Sequence, residues 1–273
     1  MCILFVYVDP KPQQNGYRLI VASNRDEYYK RPAKNAHHCP KSGVIGGRDM
    51  EPGREGGMWL GLKADQSTST LKFAALLNIT GEKLPQASGR GVLVNDYLEN
   101  DIGAEKYLRQ LKDETKTFNG YNFVAAELSK DEGNVYLHSN TPVITASFSG
   151  RQYLGFGNSP VNAPLTKVCK GRRLFQDIVE TNANKKELIQ QLINLLKSEV
   201  SCLPDDELER RAPIAYKYLS SNFVKIDDQY GTRAHTIILV DYNWNVEFVE
   251  QALEQPIDAN NPKWIESTIK SSL

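Results

Sequence analysis

Long apolar runs are missing from this sequence: nothing approaches the roughly 20 residues that a membrane-spanning helix requires, so no transmembrane segment is expected. Cysteine is scarce as well. The four present, Cys2, Cys39, Cys169 and Cys202, show neither paired spacing nor the density of a disulfide framework, which points to a reducing, cytosol-like compartment. Net charge is absent, with 33 Lys plus Arg against 33 Asp plus Glu and no basic stripe of the kind a phosphate backbone demands. Nucleic acid is therefore not an expected partner. Residues 3–8 are too short for a signal-peptide core and follow no basic segment. Linkers, internal repeats and low-complexity tracts are lacking too, so the 273 residues read as one domain, with 255–273 peripheral to it.

Apolar and β-branched runs bounded by turn residues are present in number. They predict strands over 2–8, 17–23, 58–63, 71–79, 121–128, 134–138, 152–157, 236–242 and 246–251. Helical spacing marks 93–99, 106–112, 167–180 and 186–198. Consecutive strands joined by short turns imply antiparallel pairing, and helices grouped between strand blocks imply an α+β layered sandwich rather than a doubly wound sheet. The Gly- and Pro-rich segment 40–57 is the predicted main loop, long enough to act as a lid.

Position 2 is where chemistry is first expected. Removal of Met1 before so small a residue would leave Cys2 with its own α-amine beside its thiol. An amine of pKa about 7.7 to 8 can accept the proton of a thiol of pKa about 8.5, which makes a nucleophile without a histidine base. A buried cysteine that merely starts a core strand would look the same. Asn24, Arg25, Asp26 and Glu27 close the second predicted strand, and a turn near residues 12–16 would bring them to the edge where Cys2 begins. There Asp26 or Arg25 could hold the amine or thiolate in its reactive form, although a polar burst is also an ordinary solvated strand end. Asn78 and Asn158 terminate apolar strands, where their amides could donate to an oxyanion or simply serve turns. Arg233, just before a late apolar strand, could supply fixed positive charge or cap the sheet with an ion pair.

Met1-Cys2, ASNRDEYYKRP at 22–32, GGMWLGL at 56–62, SGRG at 88–91, GFGNSP at 155–160 and YGTRAHTIILVD at 230–241 together resemble the NRDE family in its eukaryotic branch, over residues 1 to about 251. They are also similar to the cysteine-type N-terminal nucleophile hydrolases, such as bile-salt hydrolases and penicillin acylases. The resemblance implies a four-layer αββα sandwich of mainly antiparallel sheets. It implies Cys2 as nucleophile, Asp26 as orienting acid, Asn78 and Asn158 as oxyanion-side donors and Arg233 as positive partner, with Asn24, Arg25, Glu27 and Arg90 at the ligand pocket. Which of Arg25, Asp26 and Glu27 faces Cys2 is left open.

Two functions follow from that likeness as expectations. One is handling of haem, acyl-coenzyme A or a related small lipid-like ligand, serving secretion and Golgi organisation or mitochondrial metabolism without a required cofactor. The other is hydrolysis of an acyl amide or thioester. The implied location is cytoplasmic, with association to mitochondria, Golgi or endoplasmic reticulum, and the oligomeric state stays unassigned. In the stretch His37, His38, Cys39, Pro40, the side chains of His38 and Cys39 could ligate haem iron, against which stands the lack of a second ligand cluster. No metal site is expected otherwise, since His138 lies on a predicted strand and His235 at the start of one, without metal spacing. Arg48 and Arg54, set among glycines, could cradle a phosphate or carboxylate, although the loop carries no phosphate-loop signature.

Overall fold

The computed structural model describes residues 1–81, 84–113, 117–181 and 184–273. The chain opens with β1 (Ile3–Val8), β2 (Tyr17–Tyr28), β3 (Ala33–His38), β4 (Val44–Asp49), β5 (Leu60–Asp65) and β6 (Thr70–Asn78). Helices α1 (Val92–Glu99) and α2 (Ala104–Lys112) follow, then β7 (Tyr121–Leu128), β8 (Gly133–Asn140), β9 (Val143–Ser149) and β10 (Gln152–Phe156). Four more helices come next: α3 (Thr166–Thr181), α4 (Lys185–Leu196), α5 (Asp206–Arg211) and α6 (Tyr216–Leu219). The chain closes with β11 (Lys225–Ile226), β12 (Tyr230–Asp241), β13 (Asn245–Leu253) and β14 (Trp264–Ser272).

The strands form two antiparallel sheets. The first has the order β10-β1-β2-β12-β13-β14, with β11 paired to β12, and the second is a meander running β3 to β9 in sequence. Leu4, Val6, Leu19 and Val21 of the first sheet meet Leu62, Phe73, Val124 and Leu137 of the second in the central core. On the other face of the first sheet, Ile3, Phe5, Ile20 and Ala22 pack against Val168, Phe175, Leu192 and Leu196 of the later helices. Ala74, Phe123 and Ala125 of the second sheet are covered by Leu93, Tyr97 and Leu108 of α1 and α2. The result is an α+β sandwich of four layers, helices outside and sheets within. Covering both faces of β1 explains its unbroken apolar run, because every side chain of a strand held between two layers must be buried.

Segment 40–57, predicted to be loop, contains strand β4. Two of its glycines permit close approach: a Cβ on Gly46 would come within 2.4 Å of Met58 Cε, and one on Gly47 within 2.4 Å of Trp59 Cη2. Val44 and Ile45 fill core positions beside them. Strands β3, β9 and β14 were not predicted either. All three are rich in polar residues, and each is an edge of its sheet; β9 and most of β14 alternate between a covered and a solvent-facing side. The C-terminal residues expected to be peripheral include β14, which pairs along the whole of β13.

Candidate functional site

The β1–β2 hairpin sets the site. Its register places Ile3 opposite Asn24, so the residues preceding β1 lie beside the end of β2. Because side chains alternate along a strand, Cys2 packs toward the inter-sheet core while Met1 and Ile3 pack toward the helices. The Cys2 sulfur is bracketed by the main chain of Asp26, with the amide nitrogen at 3.4 Å and the carbonyl oxygen at 3.7 Å. The Asp26 side chain points to the helix side. There Oδ2 lies 3.3 Å from the Met1 α-ammonium, and Oδ1 accepts from the Thr232 hydroxyl at 2.7 Å. The ammonium also donates to the Tyr230 hydroxyl. Thus Asp26 faces the amine with its carboxylate and the thiol with its backbone. Desolvation pushes the Cys2 thiol above its ordinary value, opposed by the nearby ammonium and reinforced by the Asp26 charge.

A bulge in β12 shapes the other side of this centre. Thr232 pairs with Asp26 and Ala234 with Arg25, leaving Arg233 as the extra residue. Bulges re-aim side chains beside functional sites. Here Thr232 turns to Asp26, while Arg233 donates to the carbonyls of Tyr28 at 2.9 Å and Arg31 at 2.6 Å. Arg25 lies over the Trp59 ring at 3.7 Å, and it is near enough to the Cys2 sulfur to be felt electrostatically. Asn24 turns instead to the helix layer, donating to Leu196 and Asn222 carbonyls and accepting from His235. Glu27 is half-buried and lies 3.8 Å from Arg31.

Asn78 and Asn158 meet each other, because the Asn158 amide donates to the Asn78 carbonyl. Asn158 Oδ1 is buried and has no hydrogen-bond partner among the described residues. The pair connects to the amino terminus through Thr80, whose amide donates to Asn158 O at 2.9 Å and whose hydroxyl lies 3.1 Å from the Met1 sulfur. Arg90 donates to the Gly120 carbonyl at 2.6 Å. His38 is exposed and Cys39 is half-buried at the β3–β4 turn, where the amide of Cys39 donates to Val44 O. Among the described residues no group of three or more His, Cys, Asp and Glu is arranged to hold a metal ion.

One group at this site went unnoticed in the sequence. Lys167 of α3 is fully buried, donates to Ser221 O at 2.9 Å and Met1 O at 3.5 Å, and forms no ion pair among the described residues. Burial draws its pKa down, and the Asp26 and Cys2 charges oppose that shift. Its spacing held a signal. Lys167 precedes Gly171 and Phe175 by four and eight residues, so a charge stands on the buried stripe of the helix. Tyr230 and Thr232, which hold the ammonium and Asp26, carried no such mark.

Residues 1–255 match the family model described as Transport and Golgi organisation 2. The chain is similar to Transport and Golgi organization protein 2 of Drosophila melanogaster, with 40% identity over 264 residues, covering 93% of this chain and 92% of that protein. It is 36% identical to the Mus musculus homolog of that protein and 35% identical to the Homo sapiens one. Each match covers all of this chain and 99% of the relative.

Proposed function

Because the chain belongs to the Transport and Golgi organisation 2 family, we propose that its Cys2 centre handles acyl thioesters, acyl-coenzyme A among them, in an arrangement of the N-terminal nucleophile type. The observation that supports this is the double engagement of Asp26, whose amide lies 3.4 Å from the Cys2 sulfur while its carboxylate lies 3.3 Å from the α-amine. With Met1 attached, the thiol is desolvated and stays protonated, so the centre binds without reacting. Removal of Met1 transfers the α-amine to Cys2 itself. The amine then takes the thiol proton, and the sulfur attacks the acyl carbonyl. A carbon–sulfur bond forms to Cys2, the bond to the departing thiol breaks, and the ammonium returns its proton to that thiol. Water or another acceptor then receives the acyl group.

This reading is preferred to haem handling because His38 and Cys39 lie on a hairpin at a sheet edge, with His38 in solvent. The relatives' names, carried over as a proposal, place such acyl handling in the service of transport and Golgi organisation. The test is intact-mass spectrometry of the isolated protein before and after incubation with acyl-coenzyme A. A single acyl adduct mapped to Cys2 in Met1-free protein, absent from Cys2→Ser, is expected. Retained Met1, or an unmodified Cys2 in Met1-free protein, would overturn the covalent step.

A further inference from the structure

Four segments far apart in sequence each bring arginine toward the thiol end of the sandwich. The end of β2 and the turn after it contribute Arg25 and Arg31, the loop after β4 Arg54, the turn before α1 Arg90, and the β12 bulge Arg233. Main-chain bonds tie these segments together. Arg233 donates to the carbonyls of Tyr28 and Arg31, and Arg54 donates to Ala87 O at 3.0 Å. Arg54 also lies so close to Gly89 that a Cβ there would come within 2.8 Å of its Nη1. The Met58 amide donates to Gly91 O at 3.0 Å, fixing the Arg90 turn against the loop.

Among the described residues only Arg31 of the five has a close carboxylate, with Asp49 at 2.6 Å and Glu27 farther off at 3.8 Å. Arg25 is 8% exposed and Arg233 is 3% exposed, yet neither they nor Arg90 form an ion pair among the described residues. Burying a cation without a counter-charge is costly, so such groups are ordinarily paired. The arginines also repel one another: burial and then Arg54 draw Arg90 down to about 10, and burial and then Arg25 draw Arg233 down to about 10. The carboxylates that Arg25, Arg31, Arg90 and Arg233 feel include Glu27, Asp49 and Glu51, and the buried Glu250 carboxyl feels Arg25, so five guanidinium groups face four carboxylates. A phosphate group supplies negative charge that the protein's own carboxylates leave unmet, and planar guanidinium groups match its oxygens.

We propose that Arg25, Arg54, Arg90 and Arg233 form a cradle for the phosphate group of a small organic phosphate that lies beside the Cys2 thiol. The inference rests on the acyl-thioester reading for what the phosphate is attached to, and on the arginines alone for the phosphate itself. With Arg25 and Arg233 recessed, the cradle takes a soluble phosphate rather than a headgroup held in a bilayer.

The test is calorimetric titration of the full chain at low salt with inorganic pyrophosphate, with acetate, and with phosphatidylcholine vesicles containing phosphatidic acid. Pyrophosphate is expected to saturate one site, with acetate at least tenfold weaker and vesicles giving no signal. Arg90→Gln and Arg54→Gln, which spare the most buried members, should weaken pyrophosphate tenfold or more, while Arg109→Gln at an exposed position of α2 should not. Absence of pyrophosphate binding, binding unchanged in Arg90→Gln and Arg54→Gln, or binding to vesicles alone would overturn the cradle. Cys2→Ala separates the two proposals. It should retain pyrophosphate while losing the acyl adduct, so either can fail alone.

Discussion

The amide nitrogen of Asp26 lies 3.4 Å from the sulfur of Cys2, while the carboxylate of the same residue reaches the α-ammonium on the opposite face of the sheet. One position at the end of β2 thereby addresses both halves of the amine–thiol pair.

Asp26→Asn removes the only carboxylate that pairs with the buried ammonium among the described residues. Breaking a buried ion pair by deleting one partner leaves an uncompensated charge and costs about 3–5 kcal/mol. Thr232→Val, which takes away the hydroxyl that donates to Asp26 and accepts from the Val224 amide, should cost about 1–3 kcal/mol. Urea unfolding at neutral pH compares them. Equal losses would mean that hydrogen bonding, and not charge, accounts for the contribution of Asp26.

Lys167→Met is expected to behave oppositely. Replacing a buried charge by an apolar side chain of similar length is often neutral or stabilising. Burial lowers the Lys167 pKa in the folded state, so between that value and the unfolded one near 10.5 the unfolded chain binds more protons, and stability rises with pH. The wild type should therefore gain stability relative to Lys167→Met as pH climbs toward 10. Urea midpoints of both proteins at pH 7 and pH 9.5 measure this, and a constant difference would show that Lys167 is charged throughout. If Lys167 also tunes the amine–thiol pair, the pH profile of Cys2 alkylation in Met1-free protein will shift in the variant.

Strands buried on both faces were legible in the sequence because their apolar runs are continuous, as in β1, β7 and β12. The edges β3, β9 and β14 were not, since a polar strand at the wet edge of a sheet resembles a loop. The hairpin that joins Cys2 to Asp26 could be read from two runs and a turn, because that geometry is local. Arg90 and Arg233 could be singled out one at a time. Arg233 reaches Arg25 through the pairing of β12 with β2, strands far apart in sequence, and Arg90 nears the end of β2 as the second sheet and its turns pack onto the first, neither of which a local pattern encodes. Lys167 stood in plain sight on an apolar helix stripe.

His235 should make the fold acid-sensitive in a defined window. It is fully buried, stacks on Trp264 at 4.7 Å, donates from Nδ1 to Asn24 Oδ1 at 2.7 Å, and has no partner for Nε2 among the described residues. Burial, then the charge of Lys197, draws its pKa to about 3, against 6.5 unfolded. Between those values the unfolded state binds the extra proton, so stability falls as pH falls below 6.5 and the loss is complete near 3. At pH 5 the loss relative to pH 7 is about 2 kcal/mol. His235→Phe, which cannot titrate, should show a smaller fall across the same interval in urea titrations. A parallel fall in both proteins would place the acid sensitivity elsewhere.

Gly171→Ala inverts a familiar expectation. On a helix, alanine in place of glycine ordinarily stabilises by about 1 kcal/mol. Gly171 is buried in α3, and a Cβ there would come within 2.4 Å of Phe5 Cζ. Phe5 has nowhere to retreat, being fully buried and stacked on Phe175 with ring centroids 5.6 Å apart. Overpacking a filled core costs about 1–3 kcal/mol, so the clash outweighs the helical gain and the substitution should be net destabilising. Because Phe5 lies on the strand that begins just after Cys2, the displacement would also loosen the attachment of α3, and with it Lys167, to the amino terminus. Thermal unfolding of Gly171→Ala and of Gly171→Ala/Phe5→Leu decides the matter. The smaller leucine should restore part of the lost stability, whereas an additive second loss would show that the glycine is not there to admit the phenylalanine ring.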